Sequence, residues 1–209
     1  MKFKSLKVAV TGFILSVTCL FNVANAGLIY EHSLNTNDFG WNSNIGTQQI
    51  LDGFTLGSAA SVNMIEWYGF RGNSTDPFIL EFFNGINTLS FFDETLTATY
   101  IDTGILSGDG RNNIFKYSAN ITSVALAANT TYYLGIKSTN SMIWTWNFGS
   151  GGDGSSYVKS ANNDTTWNAI PGDMAFRLTS QTQVPEPSTL AIFALGMIGL
   201  ASRRFKKQS

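Results

Sequence analysis

Thr131-Tyr132-Tyr133-Leu134-Gly135-Ile136-Lys137-Ser138 decides the fold class. Tyr132, Leu134 and Ile136 fall on one face of an extended chain, and Thr131, Tyr133, Gly135 and Lys137 on the other. That period of two is the pattern of a strand with one buried and one wet face. Asp173 to Ser180 repeats it, with Met174, Phe176 and Leu178 alternating against Asp173, Ala175, Arg177 and Thr179. Ile114 to Ile121 does the same through Phe115, Tyr117, Ala119 and Ile121.

Further strands are expected at Leu28 to Glu31, Gln48 to Leu56, Ser61 to Phe70, Pro77 to Phe83, Thr95 to Ile101, Ser141 to Phe148 and Ser156 to Ser160. Turn residues separate many of them: Gly72-Asn73-Ser74, Gly108-Asp109-Gly110, Ala128-Asn129-Thr130 and the loop Gly149 to Gly154. The stretch 27–183 is rich in Thr, Ser, Asn, Gly and aromatics and has no sustained 3.6-residue apolar period. It is the size of one domain, and neither an internal linker nor a repeat divides it. Short strands at this spacing argue for an all-β fold, an antiparallel β-sandwich, with a jelly roll as one form it could take.

Outward from that body, the N-terminus carries Lys2, Lys4 and Lys7, then the apolar run Val8 to Phe21, then Ala24-Asn25-Ala26. A basic region, a short apolar region and an A-x-A site make a signal peptide for the Sec export machinery, residues 1–26, with cleavage between Ala26 and Gly27. The apolar run is shorter than the ~20 residues that span a bilayer, which favours cleavage over anchoring. The single cysteine, Cys19, lies in the segment to be removed, and Ser16-Val17-Thr18 before it is no lipobox. The mature chain therefore holds no thiol, which excludes disulfides, thiol catalysis and cysteine-bound zinc.

Charge is unevenly placed. The two ends hold seven of the 13 basic residues, whereas the body between Gly27 and Gln183 has thirteen acidic against six basic side chains, a net of −7. Nucleic-acid binding needs clustered Lys and Arg, so no nucleic-acid partner is expected.

After Gln183 the composition changes to Val184-Pro185-Glu186-Pro187-Ser188-Thr189, then the apolar run Leu190 to Ala201, then Ser202-Arg203-Arg204-Phe205-Lys206-Lys207. Two prolines around a glutamate predict an extended, accessible segment. The apolar run predicts one short transmembrane helix, about residues 188–202, at the low edge of spanning length. The basic tail would stay on the cytoplasmic side, leaving the acidic body outside the inner membrane.

This three-part order resembles the PEP-CTERM sorting signal, over residues 184–209. The resemblance implies an exosortase, a membrane-embedded cysteine transpeptidase, as processing partner, in a Gram-negative bacterium that makes exopolysaccharide. It implies Pro185, Glu186 and Pro187 as the recognition motif, and the helix with the basic tail Arg203, Arg204, Lys206 and Lys207 as a transient hold in the inner membrane. The body is similar to β-sandwich domains that precede this signal, through Phe54-Thr55-Leu56, Trp67-Tyr68-Gly69-Phe70, Asp76-Pro77-Phe78, Leu126 to Leu134 and Met174 to Leu178. That similarity implies a fold and no ligand.

The body offers little catalytic chemistry to the eye. His32 is the one histidine, close to the mature N-terminus, and no Gly-x-Ser-x-Gly elbow accompanies it, so a solvated or edge-strand histidine is expected rather than a triad or a histidine-clustered metal site. No cofactor, metal or catalytic residue is assigned. Glu66 and Glu81 are the candidate pair should the protein hydrolyse glycosides. Asp102, Asp109 and Asp153 sit among glycines without EF-hand spacing, and read as turns. Trp144 and Trp146, with Phe148, share one side of a period-two segment. They either stack on sugars as a glycan-binding surface or fill the core, the commoner fate of aromatic rings. The reading is thus an exported, noncatalytic surface or matrix protein associated with exopolysaccharide, with an exported carbohydrate-active enzyme as the alternative.

Overall fold

The computed structural model describes residues 27–70, 77–139, 144–160 and 166–180. The expected signal peptide with Ala26, the turn at Gly72-Asn73-Ser74 and the whole C-terminal segment lie outside the described residues. Among the described residues no helix is long and apolar enough to cross a membrane.

Among the described residues, fourteen strands form two sheets. The first contains β1 (Gly27–Leu34), β2 (Gly40–Asn42), β4 (Ala60–Phe70), β7 (Thr99–Leu106), β8 (Asn113–Leu126), β10 (Thr145–Ser150), β13 (Asp173–Met174) and β14 (Phe176–Ser180). Its order is β13-β10-β1-β14-β4-β8-β7, with β2 paired to β10. The second contains β3 (Gln48–Thr55), β5 (Phe78–Phe83), β6 (Ser90–Leu96), β9 (Thr131–Ser138), β11 (Ser155–Ser160) and β12 (Asn168–Pro171), in the order β12-β11-β3-β9-β5-β6. Every pairing between these strands is antiparallel.

The alternation that suggested the fold places the core. On β9, Tyr132, Leu134 and Ile136 point inward, and on β13 and β14 so do Met174, Phe176 and Leu178. Rings from the two sheets meet between them: Trp67 of β4 stacks on Tyr117 of β8 at 5.7 Å, and Phe78 of β5 meets Trp67 edge-on at 5.2 Å. Fully burying a large apolar side chain contributes roughly 1.5–3 kcal/mol, so this shared interior holds the sheets together without a cross-link.

Two departures from strict alternation have local causes. Register slips between β4 and β8, where Asn63 alone lies opposite Ile121 to Ser123, so inward positions fall at Val62 and Ile65 and at Ile121 and Val124. The stretch Thr95 to Ile101, expected as one strand, divides at Thr97-Ala98 between β6 and β7, which belong to different sheets. Leu96 and Ala98 both stay buried while the chain crosses over, so the apolar spacing carries no mark of the break. Asp173 to Ser180 likewise divides at Ala175, whose carbonyl accepts from Trp146 Nε1 and from the Tyr68 N–H.

The turns behave as their residues require. Asn129, between β8 and β9, has φ 53°, a left-handed conformation that asparagine tolerates, and its N–H donates to Leu56 O. Gly27 opens β1 opposite Ser180 at the end of β14, so both ends of the body leave side by side.

Candidate functional site

Three buried titratable side chains of the interior, His32, Asp52 and Asp173, converge on one cluster. Tyr30 and His32 alternate onto the inner side of β1, and Asp52 lies on the inner side of β3 in the other sheet, between Ile50 and Phe54. His32 and Asp52 are both 0 % exposed. His32 Nδ1–H donates to Asp52 Oδ2 at 2.9 Å, and the Tyr30 hydroxyl meets His32 Nε2 at 2.8 Å. The Met174 N–H also donates to Asp52 Oδ2, at 2.7 Å. Phe176 covers the imidazole edge-on at 4.9 Å.

Asp173, at the start of β13, completes the cluster. Its Oδ2 accepts from Gly152 N–H at 3.0 Å and its Oδ1 from Gly154 N–H at 2.8 Å, which fastens the glycine-rich loop over the site. A side chain at position 152 would not fit: a Cβ there would lie 2.4 Å from Asp173 Oδ1 and 2.5 Å from His32 Nε2. Donor atoms of His32, Asp52 and Asp173 all lie within 4.8 Å of one another.

Burial pushes the Asp52 carboxyl up to about 6, against the His32 and Met174 hydrogen bonds that favour its charged form. Burial alone would lower the His32 imidazole, but the hydrogen bond and charge of Asp52 outweigh it and leave it raised. Tyr30 is pushed up to about 12, by burial first and then by Asp52, Asp173 and Asp153. The His–Asp pair is geometrically that of an oriented base, yet the ring is shut from solvent and Tyr30 occupies the side a substrate would need.

His32 was expected in solvent or at an edge. It is interior instead, because β1 lies between β10 and β14 rather than at a sheet margin. The partners Asp52, Asp173 and Tyr30 were missed, although a carboxylate on the inward phase of Ile50-Leu51-Asp52-Gly53-Phe54 was a usable signal, since a buried polar residue is the informative exception.

The other candidates are placed as follows. Trp144 and Trp146 are 1 % and 0 % exposed and offer no ring face to a sugar, which corrects their reading as a glycan-binding pair. Trp144 packs against Phe78 and Tyr117, and Trp146 donates Nε1–H to Ala175 O at 2.9 Å. Glu66 and Glu81 lie on different sheets, both on outward positions, and do not face each other. Each is ion-paired: Glu66 with Lys116 at 2.7 Å and Arg177 at 3.5 Å, Glu81 with Lys137 at 2.8 Å. A depression of about 290 Å³ lies beside Glu66, lined by Leu28, Met64, Arg177 and Thr179. Asp102, Asp109 and Asp153 accept from the N–H groups of Gly104, Arg111 and Ser155, each two residues on, as turn carboxylates do.

Residues 183–207 match the family model described as the PEP-CTERM protein-sorting motif. The chain carries a PEP-CTERM sorting motif. Pro185, Glu186 and Pro187, and the basic residues Arg203, Arg204, Lys206 and Lys207, all fall in the matched segment, which lies outside the described residues. The PEP-CTERM motif implies an exported protein that an exosortase sorts and processes in transit through the membrane. Comparison with curated proteins gives no match.

Proposed function

We propose that the protein is an exported, noncatalytic component of the cell surface or extracellular matrix, addressed by its PEP-CTERM motif and associated with exopolysaccharide through its two-sheet body. The observation that carries the reading is the motif at residues 183–207 behind an acidic, strand-built body. Sec export, removal of residues 1–26 and a transient hold by the C-terminal helix in the inner membrane belong to the same proposal.

With Trp144 and Trp146 in the core, one pair of rings that remains for sugar stacking lies on the outer face of the second sheet. Tyr133 of β9 and Tyr157 of β11 point outward there, edge to face at 5.7 Å, and the Tyr133 ring lies over Gly53, where a Cβ would come within 3.3 Å of it. Lys159 Nζ stands 4.7 Å from the Trp167 ring centroid nearby on the chain. Aromatic faces beside glycine and donor side chains suit the apolar and hydroxylated sides of a pyranose.

Retention of the purified protein on the producing cell's exopolysaccharide tests this. The wild type is expected to be retained, and Tyr133→Ala with Tyr157→Ala to elute early while keeping the wild-type circular dichroism. Retention unchanged in that double variant would remove the platform, and release of reducing sugar by the wild type would replace the noncatalytic reading with the enzymatic one.

A further inference from the structure

The buried cluster has more acceptors than the protein fills. Asp52 Oδ1 is buried without a hydrogen-bond partner among the described residues, and so is Ser156 Oγ. Ser156 is 0 % exposed and is the cross-strand partner of Asp52, so its hydroxyl shares the inner face that carries the carboxylate. An unsatisfied buried polar atom is costly, and more so when it bears charge. Two such atoms on adjacent inward positions, beside His32 and Asp173, ask for a common partner.

We infer that His32, Asp52 and Asp173 form a structural binding site for one divalent metal ion of the zinc type, with Ser156 Oγ as a further donor. Three features carry this. Their donor atoms lie within 4.8 Å of one another, and because donors around one zinc stand about 3.3 Å apart, small rotations of the carboxylates close them onto an ion. Two buried carboxylates beside one imidazole balance a doubly charged ion in a place where net charge is expensive. The Gly152 backbone lies against His32 Nε2 and Asp173 Oδ1, so close that a Cβ would come within 2.5 Å of both, and the two donors therefore face one small space; an ion bound at Nε2 displaces the Tyr30 hydroxyl that meets it at 2.8 Å.

One imidazole nitrogen with carboxylate and hydroxyl oxygens suits Zn²⁺ better than Ca²⁺, which takes oxygen donors. Of the donors, His32 and Asp173 come from the first sheet and Asp52 and Ser156 from the second, so the ion would tie the layers together. In a chain whose mature part has no cysteine, it would do the work that a disulfide does elsewhere.

His32 is the only histidine, which gives a direct test on the unaltered protein. The exported protein, purified without a histidine tag and stripped with a chelator, is titrated with Zn²⁺ while the nitrogen resonances of its one imidazole are followed by NMR. One equivalent is expected to shift them and to raise Tm, with Ca²⁺ doing neither. Asp173→Asn is expected to weaken Zn²⁺ binding at least about 100-fold, whereas Asp93→Asn, an exposed carboxylate, leaves it unchanged. Imidazole resonances that ignore Zn²⁺ in the wild type would overturn the site whatever the variants do, as would undiminished binding in a folded Asp173→Asn protein.

Discussion

Trp146 shows what a single residue contributes here. Its ring fills the interior beside Phe176, and its one polar atom reaches Ala175 O, so removal leaves a cavity and takes away one of the two donors to that carbonyl. Trp146→Ala should lower stability by about 3–5 kcal/mol, read from urea denaturation with the slope unchanged. A loss under about 1 kcal/mol would mean that the ring is not in the core. Gly40 tests backbone geometry in the same way: at φ 151° its Cβ would run into the Trp146 carbonyl, so Gly40→Ala should be among the most disruptive surface-strand substitutions. The sequence could not rank Trp146 against Trp41 or Trp167, because a ring's burial depends on the strands above it, and those are distant in the chain.

At the scale of elements, strands with one wet face were legible and the others were not. Thr131–Ser138 was read to the residue because its outward positions carry Thr, Tyr and Lys. β2 and β12 are illegible because each is too short to display a period of two, and β12 ends in Pro171. The β6–β7 crossover was hidden because inward spacing persists through it. The turn between β8 and β9 offers a clean test of local chemistry. Asn129→Ala should cost about 1 kcal/mol through its left-handed backbone, whereas Asn129→Gly should be near neutral, both judged by thermal melts. Equal effects of the two substitutions would argue that the side chain, not φ, matters. The interior cluster was illegible for a different reason: His32, Asp52 and Asp173 stand on three strands, and only the pairing of β1 with β10 and β14, together with the packing of β3 opposite, brings them together.

At the scale of the whole molecule, the tail was the most legible part, because a sorting signal is read by a processing enzyme as a linear order of proline pair, apolar run and basic end. The described body begins and ends side by side, at Gly27 of β1 and Ser180 of β14. The direct measurement is intact-mass spectrometry of the protein recovered from the cell surface or matrix. A chain that begins at Gly27 and has lost Arg203 to Lys207 is the predicted result; surface-localised protein that still carries Lys206 and Lys207 would contradict it.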